Sequence, residues 1–173
     1  MKIIEDIIQQ RAEQQVREAK WDIRYLRLAR EVSTWSKDPS TQTGAVITTP
    51  MNQVVSIGFN GFARGVQDTS ERLNNRELKY KMIIHCEENA LISAARPVFG
   101  CTLYTWPFMC CASCASKMVQ AGITRFVSVE NDNPRWVDSF KLTQEIFTEV
   151  GAELCLYPLS AIPCGSVANP PPA

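Results

Sequence analysis

One histidine, no excess of charge of either sign and no long apolar run set the limits of this 173-residue chain. Its 18 basic and 18 acidic residues cancel. A protein that tracks a nucleic-acid backbone usually carries a basic surplus for the phosphates, so this balance disfavours nucleic acid and favours a small-molecule substrate. No apolar stretch approaches the roughly 18 to 20 residues that cross a bilayer, and Met1-Lys2-Ile3-Ile4 runs straight into Glu5-Asp6 without the pattern of a secretory leader. The expectation is no membrane partner and a reducing, cytoplasmic location. The seven cysteines, at 86, 101, 110, 111, 114, 155 and 164, are odd in number and two are adjacent. In that compartment they read as metal ligands and core residues rather than a disulfide framework.

With 45% hydrophobic residues the chain can bury one substantial core and is most simply a single domain. We divide it into a helical extension (1–20), a main domain (21–158) and an irregular, expendable tail (159–173) in which Pro163, Pro170, Pro171 and Pro172 fall. In the extension, Ile3, Ile4, Ile7 and Ile8 are expected to form one short packing face. Trp21, Tyr25, Leu28, Ala29 and Val32 recur at helical spacing and predict a first core helix, ended near Lys37-Asp38-Pro39-Ser40.

Gly44–Thr49 and Val54–Phe59 predict a hairpin. A polar stretch from Gly61 to Asn75 is long enough to read as a functional cover, and helical character resumes from Arg76 to Arg96. Strands over 101–105, 124–129 and 153–157 alternate with helices over 111–121 and 136–150, the helices closed by Gly122 and Gly151. Strands separated by helices imply parallel crossovers and the hairpin adds an antiparallel pair, so the fold class is α/β with a mixed sheet covered on both faces.

The single imidazole, His85, precedes Glu87 by two residues, and Cys111-Ala112-Ser113-Cys114 opens the helix after the next strand. One imidazole and two thiolates suit tetrahedral zinc and leave a fourth position for water, while a carboxylate beside that water makes such a site catalytic rather than structural. A lone H-x-E or C-x-x-C carries little weight; their conjunction around the chain's one histidine is much rarer. Cys101 and Cys155 lie in predicted strands and read as buried small hydrophobes, and Cys164 in the tail reads as inert.

H-x-E with C-x-x-C is the signature of zinc-dependent nucleobase deaminases. The segments Gly44-Ala45-Val46-Ile47, Gly58-Phe59-Asn60-Gly61, His85-Cys86-Glu87-Glu88-Asn89-Ala90, and Cys111-Ala112-Ser113-Cys114 with Gln120-Ala121-Gly122-Ile123 resemble the deoxycytidylate (dCMP) deaminases of bacteria and phages, in the cytidine deaminase superfamily. The resemblance runs over residues 21–158. It implies the cytidine-deaminase fold, three α/β/α layers around a mixed sheet of about five strands, and conversion of dCMP to dUMP and ammonia, feeding thymidylate synthesis. It also implies a homo-oligomer, commonly a hexamer, with dCTP or dTTP as effectors accompanied by Mg2+, and for a phage protein the host cytoplasm.

On this resemblance His85, Cys111 and Cys114 match the zinc ligands, Glu87 the proton shuttle, and Asn60 the asparagine that meets the sugar hydroxyl. Cys86 stands where these enzymes usually have alanine, at a position whose backbone faces the base. Cys110 replaces the proline of P-C-x-x-C and puts a third thiol beside the metal. A phosphate needs Arg or Lys donors, and Arg64, Arg76 and Lys79 with Tyr80 are the candidates. Arg96 is a candidate for a subunit interface or regulatory pocket, and Trp106, Pro107 and Phe108 either wall the base or belong to the core. The alternatives are a deaminase of another base (cytidine, a 5-substituted dCMP, or adenosine in tRNA) and a nucleotide-sensing protein whose zinc is structural.

Overall fold

A computed structural model describes the backbone of residues 2–162 and the side chains of 9, 10 and 13–162. The side chains of Ile3, Ile4, Ile7 and Ile8, and the whole tail from Pro163 that includes Cys164, lie outside that description. The first element, α1, runs Lys2–Ser33 as one helix. It joins the two helices expected on either side of residue 20, because no glycine or proline interrupts it and Gln9–Glu13 and Gln14–Glu18 pair at 2.8 Å one turn apart along its exposed part. Among its described side chains the buried apolar ones lie in the second half: Tyr25, Leu26, Ala29 and Val32.

Then come β1 (Gly44–Thr48), β2 (Val54–Phe59), β3 (Gly61–Phe62), α2 (Ser70–Asn74), α3 (Arg76–Met82), β4 (Ile83–Ile84) and α4 (Cys86–Ile92). The chain continues with β5 (Thr102–Trp106), α5 (Ala112–Gln120), β6 (Arg125–Val129), α6 (Val137–Val150) and β7 (Glu153–Tyr157). The five-stranded sheet has the order β2-β1-β5-β6-β7. β1 is antiparallel to both β2 and β5, whereas β5, β6 and β7 are parallel, which makes the sheet mixed as the sequence predicted.

Alternation along the strands divides the core in two. Ala45, Ile47, Leu103 and Phe126 point to the face covered by α4, α5 and α6, where the Phe126 and Phe147 rings stack at 3.9 Å. Val46, Tyr104 and Val127 point to the face covered by α1. Helices on both faces of the sheet give three layers, α/β/α, as the resemblance implies. α1 approaches β1 so closely that a methyl group on Gly44 would overlap the Ala29 carbonyl and the Ser33 amide.

Asp22 is buried in the α1 layer and accepts both Arg125 guanidinium nitrogens at 2.8 Å, the Tyr104 hydroxyl at 3.0 Å and the Tyr157 hydroxyl at 2.8 Å. This network joins α1 to three strands, and each of its members is remote from the others in sequence.

Three local readings change. The helical stretch 76–96, in which periodicity left the helix start near His85 open, divides into two short helices, because β-branched Ile83-Ile84 leaves α3 to pair with Gly61-Phe62 and the second helix starts after His85. The polar stretch 61–75 carries β3 and α2, whose first turn is capped by Thr69. At the other end, Leu159–Ala161 forms a 3-10 turn and Ile162 is buried with Tyr25 and Leu26, so the beginning of the expected irregular tail is part of the core.

Candidate active site

The ligand candidates sit where two helices begin. His85 caps α4, and its extended backbone (ψ 157°) turns the chain from β4 into the helix. Cys111 caps α5 in the same conformation (ψ 163°), and Cys114 lies in that helix's first turn. Glu88 ties the start of α4 to the last turn of α5: it accepts the His85 backbone amide at 3.3 Å and pairs with Lys117. From behind, α6 holds the cysteine loop, with the Ala112 amide donating to Ser139 and the Thr143 hydroxyl to the Cys110 carbonyl, both at 3.1 Å. Gly58 lets α4 lie directly on β2, since a methyl there would overlap the Cys86 carbonyl and the Ala90 amide.

The result is a compact donor set. His85 Nδ1 lies 3.6 Å from Cys111 Sγ and 3.4 Å from Cys114 Sγ. A zinc ion with Zn–S of about 2.3 Å and Zn–N of about 2.0 Å at tetrahedral angles would separate nitrogen from sulfur by about 3.5 Å, so the donors present fit that ion. Among the described residues, His85, Cys111 and Cys114 form the one group of His, Cys, Asp or Glu side chains close enough to share a metal.

The three donors also hydrogen-bond to one another. The Cys111 thiol is driven down to about 4, chiefly because Cys114 donates to it and then because His85 does. His85 is pushed up to about 9, first by its hydrogen bond with Cys111 and further by the carboxylates of Glu87 and Glu88. Cys114 is raised, because it donates to Cys111 and is buried.

Glu87 stands outside the donor set. It is 5% exposed. Burial raises its pKa, partly offset by the charge on His85, and the Cys86 thiol donates to its Oε2 at 3.2 Å. Cys110 is buried and no part of the donor set; burial and the Glu87 charge keep it a neutral thiol. Cys101 is a buried core residue as expected. Cys155 is only half-buried, and it donates to Glu153 and accepts from Arg125.

One cavity opens onto these groups. His85, Cys86, Glu87 and Cys111 line it together with Asn60 and Tyr80. Arg64 and Arg76 are not among its lining residues: Arg64 is exposed on a neighbouring groove, and the Arg76 guanidinium lies over the Tyr80 ring at 5.4 Å. Lys79 turns inward to Asp38, and Arg96 is exposed in the segment after α4. Of the three residues before the cysteine loop, Phe108 alone lines the cavity, while Trp106 packs toward α1 beneath Arg30.

Sequence reasoning missed Arg135, Trp136 and Phe140, which close the opposite wall, and Asp38 with its loop, which forms the floor. Arg135 lies 5.3 Å from the Tyr80 ring and 5.5 Å from that of Trp136. Its position after β6 was a usable signal, because ligands in parallel α/β sheets gather at the carboxyl ends of the strands.

A three-layer α/β fold that holds a His/Cys/Cys donor set beside a buried carboxylate defines a metal-dependent hydrolytic site. Residues 19–130 match the family described as the cytidine and deoxycytidylate deaminase zinc-binding region, and the chain belongs to that family of zinc-dependent deaminases.

An uncharacterized deaminase in the luxG 3' region of Aliivibrio fischeri is 40% identical over 147 residues, 83% of this chain and 98% of that protein. The deoxycytidylate deaminase of Mus musculus is 34% identical over 116 residues, 62% of this chain and 64% of the relative, so the chain spans slightly under two thirds of that enzyme. The apo crystal structure of the dCMP deaminase of cyanophage S-TIM5 shares the fold, with a TM-score of 0.62 at 18% identity over 79% of this chain and 96% of that one. Among the described residues no helix is long and apolar enough to cross a membrane.

Proposed function

We propose that this protein hydrolyses dCMP to dUMP and ammonia and so supplies dUMP for thymidylate synthesis. The observation that carries the reading is the buried Glu87 in the same cavity as His85 and Cys111, which Cys114 completes as a donor set. Zinc, when bound there, supplies the Lewis acid that makes water nucleophilic at neutral pH. The protein's own part is proton traffic. Glu87, with its affinity for a proton raised by burial, takes one proton from water and delivers it to the ring nitrogen, then takes the remaining proton from the hydroxyl added to the ring carbon and passes it to the departing amine. The Cys86 thiol steadies the carboxylate, and closed aromatic walls at Phe108, Trp136 and Phe140 keep bulk water from the base.

Asn60 is held rigidly for a sugar contact. Its Oδ1 accepts the Thr43 amide at 2.8 Å, its Nδ2 donates to the Thr41 carbonyl at 2.9 Å, and the second lone pair of Oδ1 is left for a hydroxyl. Arg135, a planar guanidinium at the cavity wall, is the phosphate donor we favour over Arg64 and Arg76. The same reading carries a cytoplasmic homo-oligomer, commonly a hexamer, regulated by dCTP or dTTP with Mg2+.

The test is to follow the loss of cytosine absorbance with dCMP, cytidine, dCTP and 5-methyl-dCMP, each with and without dCTP or dTTP as effector. Turnover of dCMP far above that of cytidine is expected. Turnover of none of them would overturn the enzyme reading in favour of a nucleotide-binding protein.

A further inference from the structure

Lys79 is a lysine with almost no access to water, 4% exposed, on a short helix beside the substrate cavity. Its Nζ donates to Asp38 Oδ1 at 2.8 Å and to the Ser40 hydroxyl. Asp38 is itself 7% exposed and lines the cavity. Its Oδ1 also accepts the Ser40 amide at 2.8 Å, and its Oδ2 faces Asn60 Nδ2 at 3.4 Å. One buried ion pair therefore ties α3, the 38–41 loop and Asn60 into a single floor.

A buried ion pair is seldom the most stable filling of such a space, because the desolvation of both charges offsets their attraction. Its placement suggests another use. Resting on the nucleotide reading above, the cavity must admit a phosphomonoester, and an uncancelled carboxylate on its floor would repel that anion strongly in a medium of low dielectric. The carboxylate is still needed, since it organises the Ser40 and Thr41 amides and abuts Asn60.

We propose that Lys79 is a positioning residue that cancels the charge of Asp38 and so lets the cavity discriminate in favour of an anionic nucleotide, without touching the phosphate itself. A cation serves better than a neutral donor here because it both holds the carboxylate and removes its field.

The experiment compares zinc-loaded wild type, Lys79→Met, and Lys79→Met combined with Asp38→Asn. Binding of dUMP and of uncharged deoxyuridine is measured by calorimetry, which needs no turnover. In Lys79→Met the dissociation constant for dUMP should rise at least about tenfold while that for deoxyuridine stays within about twofold, since only the phosphate carries charge to be repelled. The double variant, which has no unpaired charge, should bind dUMP within about threefold of wild type.

Equal weakening of both ligands would make Lys79 merely structural and overturn the proposal. Failure of the double variant to recover dUMP would overturn it in favour of a direct contact to phosphate. If Lys79→Met does not fold, the double variant decides alone by the same criterion. A wild type that binds neither ligand would bring down the nucleotide reading itself, whereas a wild type that binds dUMP leaves any failure with Lys79.

Discussion

His85 Nδ1 and Cys114 Sγ stand 3.4 Å apart although 29 residues separate them in the chain. The distance is set by the packing of α4 against α5 and by the Glu88–Lys117 pair that crosses between them, and it falls close to what two ligands of one tetrahedral ion require. Replacing Cys114 with Ser should remove a soft ligand without changing shape. Bound zinc and activity should fall together, with zinc measured per chain after dialysis, and the melting temperature should drop because a ligand held only by the folded state no longer stabilises it. Full zinc occupancy in this variant would mean that the metal is held elsewhere.

Glu87→Gln separates proton transfer from metal binding. The amide keeps the volume and the neighbouring contacts but cannot accept a proton, so kcat should fall by about 10²- to 10⁴-fold. Zinc content should be unchanged, since Glu87 lies outside the donor set. Loss of zinc along with activity would make Glu87 a ligand and end its assignment as the shuttle.

How much of this was legible in the sequence depends on whether a feature is local. His85, Glu87, Cys111 and Cys114 could be read because the chemistry constrains spacing within one helical turn, and the sheet could be read because apolar runs alternate with helical periods. The break between α3 and α4 could not, since Ile83-Ile84 continues a helical pattern and leaves it only because Gly61-Phe62 offers a partner strand. Nor could the cavity floor and far wall: Asp38 meets Lys79 across 41 residues, and Arg135 meets Tyr80 only after β6 brings it to the cavity. The Arg64 and Arg76 candidates came from nearness in sequence to the histidine, but neither lines the cavity, and Arg76 lies over the Tyr80 ring instead.

Gly58 is a position where packing and chemistry meet. Gly58→Ala would push a methyl into the Cys86 carbonyl and the Ala90 amide, so α4 must move away from β2. We expect a loss of about 1–3 kcal/mol in unfolding free energy from overpacking. Because α4 begins at His85 and carries Glu87, zinc affinity and kcat should also fall. Loss of stability with zinc affinity intact would show that the helix start is held independently of β2.

The Asp38–Lys79 pair gives stability a pH dependence whose sign can be worked out. Burial alone would raise the Asp38 carboxyl, but hydrogen bonds from Lys79, from the amide and hydroxyl of Ser40 and from the Thr41 amide outweigh it and hold its pKa below the ordinary value of 3.8. The unfolded chain therefore takes up the proton first. The stabilisation is complete above about pH 4 to 5 and is lost as pH falls through the folded value. Asp38→Asn should cost about 3–5 kcal/mol at pH 7, where it strands a buried ammonium. That deficit should shrink in urea titrations run toward pH 3, because the wild type loses its own ion pair there. Acid release of zinc would affect both proteins alike and cancel in the difference. A deficit independent of pH would mean that the carboxylate contributes as a hydrogen-bond acceptor and not through its charge.

Arg135 is exposed, yet it is held between two aromatic rings at the cavity wall, so its side chain loses little freedom when it meets an anion. Arg135→Ala should raise the KM for dCMP by about tenfold to a hundredfold, the scale of one or two charge-assisted hydrogen bonds, and leave kcat nearly unchanged because the reacting base is distant from the phosphate. Arg135→Lys should recover only part of the loss, since an ammonium keeps the charge but neither stacks as a plane nor donates in a fork. Steady-state kinetics on the three proteins separates the cases. Full recovery by lysine would reduce the role to a point charge, and an unchanged KM in the alanine variant would return the phosphate to Arg64 or Arg76, which the loop between β3 and α3 would then have to carry inward.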